Sequence, residues 1–434
     1  MTTPSLTLAT LTAACQGSAI ALRRRIRLQP AGGPGDKVFP PTYEGGQYAL
    51  EDRVIDGARL PCVLLDSVQS QANRMELALL EAHRSGRITI PVVGVDFSAV
   101  ELAVVQQVTS LDAPHRLADA ILRDSVKDGV KFREHEAGKC LNTASISNAT
   151  DLFGWCPTAL VFGMWDSTGP RGGLGAKFQR ALVGELVGVD VQGGVKPASR
   201  LDPLQISAPI YKSADGNWTA IESEAEKDSK GKPVPYGKKG KVSELNHGNV
   251  TPSIIHERKK GEERVVVNYH ENRGPFDIHV REFDGVPNHG GITMVYAQQS
   301  VVLSLPALRR LRFPGGSDAS RDVAARTALA ALALCGAVLS VDQGCDLRSR
   351  CLLVPDGVAL WQIVQADGST VDVEMTADGA CALLAEAVAA ATKAGLSWQA
   401  KPKANGLDLL PSPALSALVT KSAKLQVAGD SGEG

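Results

Sequence analysis

Two stretches of this chain alternate strand-like and helix-like patterns, and between them, from about Asp202 to Pro287, apolar periodicity is poor. That layout predicts an α+β protein in which one ferredoxin-like sheet is interrupted by an insertion. The expected boundaries are residues 1–201 for the first part of the sheet domain, with a Gly/Pro-rich loop near its start, and 202–287 for a basic inserted arm. The second part of the sheet domain then spans 288–400, and a flexible tail 401–434, whose alternating prolines, small residues and charges resist regular structure.

Within the first block, Leu60–Leu65 reads as a short buried strand. Asp66 or Ser67 can cap a helix that runs to about His83 and stops at Gly86. Val68, Ala72, Met75 and Leu79 share one stripe of that helix, at the spacing of a packed face. A second helix is expected from Asp112, with Pro114 in its first turn, Leu117 and Ile121 buried, and Arg116 and Arg123 carried on it. A strand over Ala159–Trp165, a glycine loop, a helix near Ala176–Leu182 and the valine-rich run Val187–Val191 then form an expected βαβ unit. The late block is read as a strand from Gly291 to Leu303, a helix from about Asp318 to Leu339, strands near Cys351–Val354 and Thr370–Glu374, and a helix over Ala377–Ala394.

The insertion holds six lysines and one aspartate between Lys227 and Lys241, followed by a strand-like run from Arg264 to Tyr269. It reads as a projecting hairpin or loop arm with a mobile lysine tip.

The 434 residues carry a net charge of −1, with 44% hydrophobic and 21% charged residues, so a packed fold is expected and any anion-binding surface must be local. Arginine concentrates at Arg23, Arg24, Arg25 and Arg27, and again at Arg309, Arg310 and Arg312. The eight cysteines include no C-x-x-C pair and are read as reduced, mostly buried thiols of a cytoplasmic protein. The N-terminus lacks the pattern of a signal peptide, and the longest apolar stretch, Thr327 to Leu339, falls short of the roughly 20 residues of a membrane span. A soluble chain without a membrane partner follows.

Catalytic signatures are weak. There is no H-x-x-x-H or H-E-x-x-H pair and no G-x-S-x-G elbow, and neither carboxylates nor Cys and His show metal-ligand spacing. The glycine loop Gly169–Lys177 is not a Walker A motif, because Ala176 separates Gly175 from Lys177 and Phe178 follows. A tight structural turn and a cradle for sugar-phosphate are both open readings of it. The polar segment Ser67–Arg74 combines Gln, Asn, Ser and Arg at a strand-to-helix junction, a composition suited to phosphates and sugars.

Three quoted segments carry a family resemblance. They are Gln29-Pro-Ala-Gly-Gly-Pro-Gly-Asp-Lys-Val-Phe-Pro-Pro-Thr-Tyr-Glu-Gly-Gly-Gln47, Leu64-Leu-Asp-Ser-Val-Gln-Ser-Gln-Ala-Asn-Arg-Met-Glu76 and Trp165-Asp-Ser-Thr-Gly-Pro-Arg-Gly-Gly-Leu-Gly-Ala-Lys-Phe-Gln-Arg180. With Ser199–Leu204 and Ser304–Leu311, they resemble the crRNA-binding backbone subunit of type I-G (formerly I-U) CRISPR Cascade complexes, in the RAMP superfamily. The Ser-Gln-Ala-Asn-Arg element is also similar to the Ser-Gln-Ser-x-Lys-Arg element with which other Cascade backbone subunits grip guide-RNA phosphates.

The resemblance implies a hand-like architecture: an RRM-like palm, inserted finger-like segments and a β-hairpin thumb. It implies a non-catalytic subunit without metal or cofactor, which polymerises along crRNA and leaves bases free to pair with target DNA. The implied partners are crRNA, target DNA in the R-loop, copies of itself, the large, guide-end-capping and crRNA-processing Cascade subunits, and a recruited helicase-nuclease. RNA contacts are then expected at Lys37, Gln69, Ser70, Gln71, Asn73, Arg74, Arg171, Lys177 and Arg180. Lys230, Lys232, Lys238, Lys239 and Lys241 are expected to meet target DNA or a neighbouring subunit. The rival reading is a ribonuclease, with His289 and Asp284 as its acid/base pair.

Overall fold

The computed structural model describes residues 3–44, 47–169, 172–194, 196–260, 263–268, 290–315, 319–342 and 344–430. The chain divides into two compact units: Met1–Asp36 with Leu50–Asp190 and Met294–Gly429, and Lys37–Ala49 with Val191–Thr293 and Asp430–Gly434.

The first unit is built on a large sheet in which every strand pair of defined register is antiparallel. Its strands are β1 (Ala21–Pro30), β2 (Leu50–Ile55), β3 (Ala58–Asp66), β4 (Leu182–Gly193), β5 (Ile292–Ser304), β6 (Cys345–Asp346), β7 (Leu352–Pro355), β8 (Trp361–Val364) and β9 (Thr370–Val373). They lie in the order β6-β7-β1-β5-β4-β3-β2, and β8 joins β1 to β9. The long central pairing sets Ala21 opposite Ser304 and Leu28 opposite Ala297 without a break in register. Together with its helices this is an α+β fold compatible with the ferredoxin-like, RAMP-like arrangement expected from the sequence.

Four helices matter for that sheet: α1 (Leu8–Gln16), α2 (Val68–Ser85), α3 (Ser320–Asp342) and α4 (Ala377–Lys393). Helix α2 begins where Ser67 Oγ accepts the Ser70 amide at 3.2 Å, and it ends where Gly86 takes φ 83°, the left-handed stop that glycine adopts without steric cost. Its Ala72, Met75 and Leu79 are buried, as the stripe predicts. Gly336 lets α3 come close to α2, since a Cβ there would lie 3.2 Å from Leu79 Cδ1 and 3.4 Å from the Met75 carbonyl.

Among the described helices, α3 alone is long and apolar enough to cross a membrane. Every residue from Ala325 to Leu339 is buried, so it is the core helix of the unit. All eight cysteines are free and buried.

Several local expectations are corrected. No continuous helix starts at Asp112, because its carboxylate is taken by the Thr109 amide and hydroxyl, at 2.9 and 2.7 Å. Arg116 then sits at φ 52°, which divides the segment into a turn at Arg116–Ala118 and a short helix Ala120–Arg123. Ala159–Trp165 is not a strand: Pro157 opens a helix to Phe162, and Gly163 at φ 86° ends it before a two-residue strand, Met164–Trp165. That strand pairs antiparallel with Lys177–Phe178, so the expected Ala176–Leu182 helix and the βαβ unit give way to a glycine hairpin.

The segment expected as a flexible tail is also built into the fold. Leu407–Pro411 pairs parallel with Val93–Asp96, Leu409 is fully buried, and Pro413–Asp430 is a helix.

The second unit contains an antiparallel sheet of Lys196–Arg200, Val250–Lys260 and Glu263–Asn268. A small hairpin pairs Tyr211–Lys212 with Trp218–Thr219. Buried Asp202 fixes a turn, accepting the amides of Gly248 at 2.6 Å and Leu204 at 3.0 Å.

Candidate functional site

The first turn of α2 separates the residues expected to touch RNA into two groups. Gln69 and Asn73 are exposed and Ser70 is half-buried. Gln71 instead faces inward at 2% exposure. Its amide donates to Asp66 Oδ2 at 2.6 Å and its carbonyl accepts from Gln299 at 2.8 Å. Both ends of the side chain are committed to the protein, so Gln71 supports this junction and does not present itself to a ligand.

Arg74 is similarly engaged. Its Nε donates to Asp66 Oδ2 at 3.0 Å, and Nη2 and Nη1 reach the carbonyls of Leu347 and Asp346 at 2.8 and 3.3 Å. The chain of contacts continues through Gln299 to Arg24, whose Nη2 lies 3.1 Å from Gln299 Oε1. Arg24 is therefore a core residue, and burial lowers its guanidinium to about 10. The bulk of the polar signal at Ser67–Arg74 goes into joining α2 to the central strands and to the segment after α3.

The glycine hairpin folds around a buried ion pair. Asp166 holds both Arg133 nitrogens, at 2.9 and 2.5 Å. A Cβ on Gly175 would fall 1.9 Å from the Asp166 carbonyl oxygen, and one on Gly169 2.3 Å from Asp166 Oδ2. The glycines are thus required by close approach to Asp166. Because a strand and not a helix follows, no helix N-terminus faces the loop, and that version of a phosphate cradle is withdrawn.

A groove lined by cationic side chains lies beside the hairpin. A groove of about 530 Å³ is lined by Ser145, Ser147, Gly175, Lys177, Arg310 and Arg312, among others. Lys177 Nζ stands 4.9 Å from the Trp165 ring centroid, and Arg310 donates to Gln179 at 3.0 Å. Among the described residues neither cation has a carboxylate partner. Arg312 has one at 3.6 Å, Asp322, which is shared with Arg326 at 2.7 Å. Three cations with two hydroxyls, on an open surface, suit phosphate oxygens better than a small apolar ligand.

Arg180 is exposed just beyond the hairpin, and Arg171 lies outside the described residues. Arg310 and Arg312 were missed as site residues because 133 and 135 positions separate them from Lys177 and only the tertiary fold brings them together; their run of arginines was the available signal. The neighbouring Arg309 does something else, donating to the Ala14, Cys15 and Ala19 carbonyls at the C-terminal end of α1.

In the second unit, Lys37 is half-buried and its stem passes Gly194. Lys230, Lys232, Lys238, Lys239 and Lys241 are exposed. The backbone beneath them is held by two carboxylates: Asp228 accepts the Lys230 and Lys232 amides, both at 2.9 Å, and Glu244 those of Lys238 and Lys239, at 2.8 and 2.7 Å. Asp284 and His289 lie outside the described residues. Among the described residues no group of three or more His, Cys, Asp or Glu could hold a metal ion.

Fold and groove together define an α+β protein with a local cationic surface. Residues 22–193 match the family model of CRISPR-associated protein GSU0053, a span that runs from β1 through α2 and the glycine hairpin to the end of β4. The match covers 172 of the 434 residues and is a likeness to that family over this span. No curated protein matches the chain.

Proposed function

We propose that this chain is a non-catalytic backbone subunit of a type I-G Cascade complex. In the cytoplasm it holds crRNA by its sugar-phosphate chain and oligomerises along it, presenting bases to target DNA. The observation that carries this reading is the groove of Lys177, Arg310, Arg312, Ser145 and Ser147, in a chain whose residues 22–193 match a CRISPR-associated family. Where base pairing reads the sequence, a protein needs to hold only backbone and shape. Cations and hydroxyls without a cage for a base are sufficient for that task. Gln69, Ser70 and Asn73 extend the contact surface at the exposed start of α2, while Gln71 and Arg74 hold that start in place. The lysines of the second unit are assigned to target DNA or an adjacent subunit, and Lys37 and Arg180 to the RNA chain.

A net charge of −1 suits a subunit that packs against its own copies, since repulsion between highly charged copies would add along the assembly. The test is salt-titrated binding of array-derived RNA by the full chain. Lys177→Ala and Arg310→Ala should each flatten the slope of log affinity against log salt by about 0.7, equally on unrelated RNA sequences. Unchanged slopes for both variants would remove the groove from the RNA path.

A further inference from the structure

The arginines of β1 were visible in the sequence, but the groove does not use them. The pairing of β1 with β5 and β8 separates them by face. Leu22, Arg24 and Leu28 turn into the core, while Arg23, Arg25 and Arg27 stand on the opposite face. Arg25 and Arg27 are exposed and Arg23 is half-buried.

Each of the three rests on a neutral partner. Arg23 Nε donates to Gln362 at 2.9 Å and Arg25 Nη2 to Gln298 at 3.0 Å. The Arg27 guanidinium lies 4.4 Å from the centroid of the Tyr296 ring. Among the described residues none of them forms an ion pair. The side chains are therefore oriented and their charge is left uncompensated, unlike Arg53 on the same sheet, which Glu185 neutralises at 2.9 Å.

Alternate positions on a strand repeat every 6.7 Å or so, about two residue rises, a step close to that between successive phosphates of an extended polynucleotide. Arg27 adds a second feature, a planar cation backed by an aromatic ring, on which a base can stack. Beside it, Cys62, Val187 and Val189, with Leu60, Leu64 and Tyr296, form a small apolar cluster. A row of phosphate-spaced cations ending at a stacking plate fits a single-stranded nucleic acid more closely than an acidic peptide, whose carboxylates would gain nothing from the plate.

We infer that the Arg23–Arg25–Arg27 row and Tyr296 form a second contact track for single-stranded RNA or DNA, separate from the hairpin groove and sharing no residue with it. This goes beyond the proposed function, which assigns no role to these four residues.

The test uses the full chain with labelled oligo(U) and oligo(dT) at several salt concentrations. The double variant Arg25→Gln/Arg27→Gln should flatten the salt slope by about 1.4, two contacts of about 0.7 each, and Arg25→Lys/Arg27→Lys should restore it. Tyr296→Leu should keep the slope and weaken binding by about fivefold or more. A loss confined to one probe assigns the track to that nucleic acid, and a loss on both assigns it to their shared chemistry. Unchanged slopes on both probes overturn the inference, as does equal displacement by polyglutamate with Tyr296→Leu silent. If groove variants lose slope and sheet variants do not, the proposed function stands and the second track falls; the reverse result upholds the track alone.

Discussion

Glu76 is enclosed by Arg116, which grips both of its carboxylate oxygens at 2.6 Å while also donating to the Gly163 carbonyl at 2.8 Å. The pair therefore ties α2 to the segment that opens the glycine hairpin. Removing one member of such a pair leaves an uncompensated buried charge, so Glu76→Ala should cost about 3–5 kcal/mol in urea unfolding. A loss below about 1 kcal/mol would show that the site relaxes to admit water. Thiols follow the same logic. Burial pushes Cys15 and Cys351 up to about 11 and Cys345 up to about 12, and raises Cys62, Cys140 and Cys156. A hydrogen bond shared with Cys381 raises Cys335 and draws Cys381 below the usual thiol range. Since the thiolate is the nucleophile, brief alkylation of the native protein should label Cys381 first, as read by peptide mass spectrometry. Earlier labelling of any other cysteine would contradict these environments.

At the scale of elements, sequence reasoning succeeded where a local stop or start signal coincided with an apolar stripe. Helix α2 had Ser67 to satisfy its first amides and Gly86 to end it, and its boundaries were legible for that reason. Ser67→Ala should accordingly lower stability by about 1 kcal/mol, measured by thermal unfolding at matched pH. An unchanged midpoint would mean that packing alone fixes the start of the helix. Legibility failed around residues 112–182, where tertiary contacts outvote propensity. Asp112 and Arg116 looked helical but are taken by Thr109 and Glu76, and Ala159–Phe162 is apolar enough to pass for a buried strand. The candidate site was read in part. Lys177 was named from its glycine loop, but Arg310 and Arg312 joined it only through folding. Gln71 and Arg74 carry the composition of a ligand site and spend it on Asp66.

For the whole molecule, a loss of periodicity near residue 202 led to the expectation of an insertion at 202–287, whereas the compact units divide after Asp190 and before Met294, and the role of the C-terminus was not visible. Leu407–Pro411 is short and its partner lies some 310 residues earlier, so nothing local announces the pairing. Truncation after Ala400 should expose the apolar surface that the Leu407–Pro411 strand covers beside Val93 and Val95 and yield aggregated or markedly destabilised protein, read by solubility and thermal unfolding. Full solubility with an unchanged midpoint would contradict the role given to that strand. The central proposal, a chain that clasps a guide by its backbone, is tested most directly by co-expressing the protein and the proposed Cascade partners with and without a CRISPR array. Sizing with ultraviolet absorbance and sequencing of recovered RNA should show array transcripts held in a larger species only when the array is present. Protein that elutes free of nucleic acid in both preparations would contradict the account.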